Sequence, residues 1–323
     1  MTGHERTEER KADMSGIVVV DKPAGKTSFD VVRDLRKILG IRKIGHTGTL
    51  DPLATGVLPL CINEGTKMAP FLAEDDKEYR ATMMLGITTD TQDITGTVLS
   101  GRDPGNVTRQ ALESAAGAFV GRMEQKVPRY SAAKYRGRPH HRWARNGVVL
   151  DTPVKEITIH GIEIESFSLP YVTFMVACSK GTYIRTLCND MGARLGCGAA
   201  LASLRRTRSG RFCEKNALRL DDLVNGGGAR MVRDNLVPLE RVLDTCRAIT
   251  VDDELARRIR EGYQPEGGIL KKAAIPAVDR GDLVRLVRDD GRMVAVARMM
   301  LSPEALKTAG AREQILKLVR VFN

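Results

Sequence analysis

The sequence predicts an α+β protein, with a mixed sheet and helices followed by a small C-terminal β unit. Three observations point there. Strand-like and helix-like segments follow one another irregularly, without the βαβα alternation of a doubly wound fold. The character of the chain changes near Thr250, where glycine-rich turns and short strands take over. Its length, 323 residues, suits two domains at roughly 150 residues each. The expected units are a disordered polar tail over 1–13, a main domain over 14–248 and a β domain over 249–323.

Each element has a local reason. Gly16-Ile-Val-Val-Val is an apolar run of strand length, and Lys22-Pro-Ala-Gly turns the chain. Thr27 or Ser28 caps a helix with Phe29, Val32, Leu35 and Leu39 on its apolar side, and Gly40 ends it. Gly45 to Gly56 is expected to be irregular, and Pro52 disfavours helix at Asp51. Tyr79 to Leu85 reads as a strand, Thr88 to Gly96 as a polar turn, Val172 to Cys178 as a strand and Thr186 to Leu195 as a helix. Gly226-Gly-Gly is a loop. A helix over Asp252 to Glu261 then precedes strands at Asp282 to Val287 and Met293 to Ala297.

Composition narrows the function. Apolar residues make up 42% of the chain and charged residues 28%, a soluble globular balance. Lysine and arginine exceed aspartate and glutamate by 51 − 40, giving +11 and a pI near 9.5. That excess points to an anionic partner, either nucleic acid or an acidic membrane surface. No apolar run reaches the roughly 18 residues of a membrane span, and the N-terminus lacks an apolar signal segment. The expected location is cytoplasmic. Cysteines 61, 178, 188, 197, 213 and 246 are scattered without CxxC spacing, as free thiols in a reducing compartment would be. They and the histidines are not grouped as metal ligands.

Two motifs mislead. Gly25-Lys-Thr-Ser invites a phosphate-loop reading, but the first glycine of GxxxxGK[ST] is replaced by Val20. Asp90 and Asp93 lack the spacing of a calcium loop and fit turn capping better.

The most informative stretch is Gly45-His-Thr-Gly-Thr-Leu-Asp-Pro-Leu-Ala-Thr-Gly-Val-Leu-Pro-Leu. Its glycines allow close approach of a ligand or φ > 0. A single carboxylate, Asp51, sits among Leu50, Leu53, Val57 and Leu58, which are expected to dry its surroundings. An isolated carboxylate there needs a partner or takes up a proton. On pattern alone, a self-capped Asp-Pro turn explains it better.

This segment resembles the central motif of the TruB family, the tRNA pseudouridine-55 synthases. Val20-Asp-Lys-Pro-Ala-Gly-Lys-Thr-Ser, Lys77-Glu-Tyr-Arg, Tyr130-Ser-Ala-Ala-Lys-Tyr-Arg-Gly, Ser179-Lys-Gly-Thr-Tyr-Ile-Arg-Thr-Leu and Leu204-Arg-Arg-Thr resemble further family motifs, in order. The resemblance implies a largely antiparallel sheet with flanking helices, and an isomerase needing no cofactor or metal. It assigns Asp51 as nucleophile. Arg185, on what the resemblance makes a strand, is its bidentate ion-pair partner. Tyr79 lies against a flipped uracil, with Tyr183 and Leu204 as walls. His46 fills the stack the base vacates, and Lys22 and Pro23 support the pocket floor.

The resemblance makes 122–155 an RNA-gripping insertion. Arg122 to Arg145 hold eight lysines and arginines against Glu124, interleaved with Tyr130, Tyr135, Trp143 and two histidines. Cations position phosphates and aromatic faces stack on bases. Lys134, Arg136, Arg138 and Arg142 are the expected contacts, with a second cluster of Arg205, Arg206, Arg208 and Arg211. Val127-Pro128-Arg129 departs from the family's pattern of two prolines and a methionine, so the loop shape there is its own. Gly281-Asp-Leu-Val and Asp290-Gly-Arg-Met-Val-Ala-Val resemble a PUA-like RNA-binding module, which implies contact with the tRNA acceptor end. The expected substrate is the T-arm stem-loop, and the expected state is a monomer. A subunit working with a guide RNA and a tRNA-folding chaperone are the alternatives. The insertion favours an enzyme without a guide.

Overall fold

The computed structural model describes residues 14–131, 133–140, 143, 148, 150–270 and 275–323. The tail over 1–13 and Arg142 lie outside these residues, as do the side chains of Lys134 and Arg138.

Strand β1 (Gly16–Lys22) leads through a turn to helix α1 (Ser28–Leu39), then β2 (Ile44–His46) and β3 (Thr55–Ile62). Next come β4 (Lys77–Leu85) and the hairpin β5 (Ile87–Thr89)–β6 (Val98–Gly101). Helix α2 (Arg109–Gly117) precedes β7 (Gly121–Lys126) and the small hairpin β8 (Lys134–Tyr135)–β9 (Arg138–Pro139). The long strands β10 (Val154–Ser168) and β11 (Tyr171–Cys178) lead to α3 (Ile184–Arg194) and β12 (Ala199–Ser209). Three two-residue strands, β13 (Phe212–Cys213), β14 (Leu218–Arg219) and β15 (Val237–Pro238), pair onto this sheet. A second sheet follows, with β16 (Arg247–Thr250), helix α4 (Asp253–Arg260), β17 (Leu283–Val287), β18 (Met293–Met299) and β19 (Leu316–Val321).

The large sheet runs β14-β1-β3-β12-β4-β11-β10-β7. Its pairs are antiparallel except β1–β14 and β3–β12. The α+β expectation therefore holds. Strands β1 and β3 are buried on both faces, which is why their sequences are continuous apolar runs. Val18 and Val20 enter the main core under α1, while Ile17 and Val19 enter a second core behind the sheet.

Helix α1 starts where the sequence says. Thr27 Oγ1 accepts from the Asp30 N–H and the Asp30 carboxylate accepts from the Thr27 N–H, a reciprocal cap. Gly40 closes the helix at φ 64°. Its buried side is Val31, Val32, Leu35 and Leu39. Phe29, expected on that side, is 58% exposed. In the first turn it projects past the core edge toward the site loop.

Other boundaries moved. Gly45 and His46 lie in β2, paired with Cys61 and Leu60, so the irregular loop is shorter than expected. Helix α3 begins at Ile184, which puts Arg185 in a helical first turn and not on a strand. Gly228 opens a short helix (Gly228–Asp234) instead of continuing a loop.

The two sheets share hydrophobic core. Ile17, Val19, Val57 and Cys61 of the large sheet cluster with Val287, Met293, Val296 and Phe322. Phe322 is 1% exposed. Around it, Lys67 Nζ donates to the Val321 carbonyl at 2.7 Å, and the Asn323 N–H donates to Glu64 at 3.1 Å.

Candidate active site

The loop 47–54 crosses the middle of the large sheet, and one row of the sheet makes its floor. Lys22 pairs with Gly56, Gly56 with Arg206, and Arg206 with Tyr79 across four neighbouring strands. A Cβ on Gly56 would lie 2.2 Å from the Arg206 carbonyl oxygen, and its φ is +100°. Only glycine fits, so this motif glycine, inside β3, is explained by close strand packing and its positive φ.

The loop is held from beneath. The Leu50 N–H donates to Ser28 Oγ at 2.8 Å, and the Gly25 N–H donates to the Pro52 carbonyl at 2.8 Å. Lys22, fully buried, donates Nζ to the carbonyls of Pro23 (2.8 Å), Lys26 (2.6 Å) and Pro52 (3.4 Å). Burial pushes its pKa down to about 8, against the opposing pull of Asp51. The Ala54 N–H donates to the Asp51 carbonyl at 3.0 Å. An Asp-Pro turn therefore exists, but the Asp51 side chain does not cap it. It reaches Arg185, whose Nε lies 2.8 Å from Asp51 Oδ2.

Arg185 is a hub. Its side chain is 5% exposed. Nη1 donates to the Thr91 carbonyl (2.8 Å) and Nη2 to the Tyr130 carbonyl (2.7 Å). Asp93 Oδ2 stands 3.8 Å from Nη1. One guanidinium thus ties the Asp51 loop, the β5–β6 turn and the start of the insertion. The expected bidentate fork onto Asp51 is replaced by three single contacts. Asp51 is also wetter than its leucines suggest, with its side chain 41% exposed. Leu50 and Leu58 are buried in the main core, but Val57 faces the core behind the sheet and dries nothing here.

Two cavities meet at the Asp51–Arg185 pair. One, of about 300 Å³, is walled by Leu50, Tyr79, Tyr183 and Leu204, with Lys77 and Arg206 also on its surface. The other, of about 450 Å³, lies beside Phe29, His46 and Leu53. Tyr79 is 8% exposed; burial pushes its phenol up, against the pull of the nearby Arg206 cation. Burial likewise raises Tyr183. Gln125 clamps the Tyr183 backbone through both its N–H and its carbonyl. His46 is held below the usual imidazole range by burial and then by Arg206. Its Nδ1 is buried without a hydrogen-bond partner among the described residues.

The basic segments differ from their sequence reading. Arg206, expected on RNA, is 1% exposed and donates to the Val57 (2.7 Å) and Gly48 (3.2 Å) carbonyls. Arg205 is engaged by Asp21 at 3.0 and 2.9 Å and by Glu214 at 2.9 Å. Arg208 pairs with Glu78 and Arg211 with Asp244. In the insertion, Tyr135 packs edge-on to His140 and Trp143 at 6.3 and 6.2 Å, and Arg136 covers the Tyr135 ring at 5.4 Å. These aromatics pack on each other rather than standing as separate platforms.

The decoys are turns. Asp90 and Asp93 accept from the N–H groups of Thr97 and Thr95, and Lys26 of the Gly-Lys-Thr-Ser segment pairs with Asp34 at 2.7 Å. Among the described residues no His, Cys, Asp and Glu group is placed to hold a metal, and no helix is long and apolar enough to cross a membrane. Sequence reasoning missed Lys77, Gln125, Ser131 and Asp93 as parts of the site. Only Lys77 and Ser131 carried a signal, by standing in quoted motifs.

A carboxylate loop over the centre of a mixed sheet, with a buried arginine and tyrosine-walled cavity, defines a pseudouridine synthase. Solved structures of a Cbf5–Nop10–Gar1 complex (27% identical, TM-score 0.74) and of an H/ACA RNP bound to a substrate RNA containing 2′-deoxyuridine (25%, 0.73) share the fold. Each match covers 98% of this chain and 87% of the other. Within that class, residues 36–184 match the TruB family pseudouridylate synthase N-terminal domain, and 185–244 match the tRNA pseudouridylate synthase B C-terminal domain. The chain is 47% identical over 310 residues to tRNA pseudouridine synthase B of Syntrophus aciditrophicus (96% of this chain, 99% of that one). It is 42% identical to the Geobacter sulfurreducens protein of that name (96% and 100%). The chain belongs to the TruB family and is an isomerase that forms pseudouridine.

Proposed function

We propose that this chain converts uridine 55 in the T-loop of tRNA to pseudouridine, with Asp51 as nucleophile. The observation that carries the reading is the Asp51–Arg185 pair at the rim of a cavity with aromatic and apolar walls. The relatives named tRNA pseudouridine synthase B support the substrate. The reaction breaks N1–C1′, turns the base and joins C5 to C1′. One proton leaves C5 and one arrives at N1. Nothing is oxidised and no group is imported, so the chemistry asks for neither cofactor nor metal. Asp51 acts ionised, supplying an electron pair, and its half-open side chain faces an incoming sugar.

The uridine is buried in a folded loop, so it is flipped out at a cost of a few kcal/mol. In this reading Tyr79 lies against the base and Tyr183 and Leu204 wall it. His46 takes the vacated stack, and Lys22 supports the floor through Pro52. Lys134, Arg136, Arg138 and Arg142 hold phosphates, while residues 249–323 act as a PUA-like module on the acceptor end. The insertion supports an enzyme that needs no guide RNA; a monomer in the cytoplasm completes the reading. The test is tritium release from a bare T-arm transcript carrying 5-tritiated uridine. Wild type is expected to release tritium without a guide and Asp51→Ala to release none; no release from wild type overturns the reading.

A further inference from the structure

The charges around the base cavity are segregated. Asp51 is at the rim, already paired with Arg185. The floor carries Lys77 and Arg206, 6% and 1% exposed. Neither forms an ion pair among the described residues; in this they are like Lys22, which is held by carbonyls, and unlike Arg185. Arg206 meets the Val57 and Gly48 carbonyls. Lys77 Nζ meets the carbonyls of Ala73, at 2.8 Å, and Asp75. Carbonyl dipoles solvate a buried cation without neutralising it, and an uncompensated buried charge is costly. Burial and the neighbouring Arg206 push Lys77 below its ordinary pKa. Asp75 and Asp76 pull it the other way, but among the described residues no carboxylate forms an ion pair with either floor cation, so room remains for an anionic ligand.

The proposed reaction provides one. When N1–C1′ breaks, the bonding pair leaves with N1. The uracil then carries a negative charge shared among N1, O2 and O4. Asp51 meets the electron demand of the sugar, by bonding C1′ or by taking its neighbouring proton. The charge persists until C5 bonds C1′, as Asp51 leaves C1′ or returns the proton it took; C5 then loses its proton and N1 gains one. We propose that Lys77 and Arg206 stabilise the detached uracil anion, an electrostatic role separate from that of the Asp51–Arg185 pair. It rests on the uridine reading above. Fixed charges placed where charge develops need no reorganisation at the moment of reaction.

The test compares two T-arm transcripts, with uridine or 5-fluorouridine at the target, under single-turnover conditions. Fluorine makes the base a better anion, so it depends less on protein charge. Lys77→Met is expected to slow consumption of uridine about 100-fold but of 5-fluorouridine about 10-fold or less. Lys77→Arg, which keeps the charge, is expected to recover most of the loss. The ratio of the two rates is internal to each sample, so partial unfolding slows both alike and leaves the wild-type ratio. Equal slowing of both transcripts, or no slowing, overturns the charge role alone. A wild-type protein that consumes neither overturns the uridine reading and this proposal with it.

Discussion

Arg205 and Arg206 are neighbours on β12, yet they sit in opposite electrostatic worlds. Arg205 is on the outer face, held by two carboxylates. Arg206 is on the cavity face, buried against carbonyls. A bulge between Arg206 and Arg208 breaks the alternation, so Arg208 rejoins the outer face opposite Glu78. The segment that looks like one basic patch is therefore a set of satisfied surface pairs around a single inward cation. Counting charges locates neither. Strand parity and the bulge decide which cation is available to a ligand.

If the cavity face does chemistry and the outer face does not, substitutions should divide sharply. The largest effect is expected at Asp51. Asp51→Asn should lower the single-turnover rate about 10⁴-fold or more while tRNA affinity stays near wild type; residual turnover within tenfold of wild type breaks the comparison. Arg185→Lys comes next, at about 100-fold or more, because a point charge cannot serve Asp51, Thr91 and Tyr130 together. A folded Arg185→Lys protein with normal turnover would sink the hub. Gly56→Ala should destabilise by about 2 kcal/mol or more, from its left-handed φ and the Arg206 carbonyl in the way. Chemical denaturation measures it.

Lys22 sharpens the same contrast through pH. Its folded pKa of about 8 lies below its ordinary value, so over that interval the unfolded chain binds more protons. Its desolvation cost is fully present below pH 8, and stability recovers as pH rises toward the ordinary lysine value. The difference in unfolding free energy between wild type and Lys22→Met should therefore vary across that window; a constant difference denies the buried charge. The smallest effect is expected on the outer face. Arg208→Ala should cost at most about 1 kcal/mol and leave tRNA affinity within a few-fold. A large loss of affinity there would show that the surface pairs open to grip RNA.

Much of the fold was legible because its signals are local. Thr27, Asp30 and Gly40 define α1 by hydrogen bonds within a few residues. The apolar runs of β1, β4 and β11 announce strands. Asp51 and Arg185 are far apart in sequence, and only the family resemblance joined them. What stayed hidden depends on tertiary geometry. Phe29 fits the helical period but lies beyond the core edge. Val57 neighbours Asp51 in sequence but belongs to the other face of the sheet. The outward turn of Arg208 depends on a bulge that no residue type announces.

Phe322 has a consequence for measurement by the molecule itself. It packs with Val57 and Cys61, on the strand that follows directly from the Asp51 loop. The far sheet and the Asp51 loop are thereby joined to one strand through a shared hydrophobic core. On the proposed reading, in which the far sheet meets the acceptor end, an RNA touching both would be gauged against a fixed span, so a molecule with the right loop but the wrong arm length would fit one end at a time.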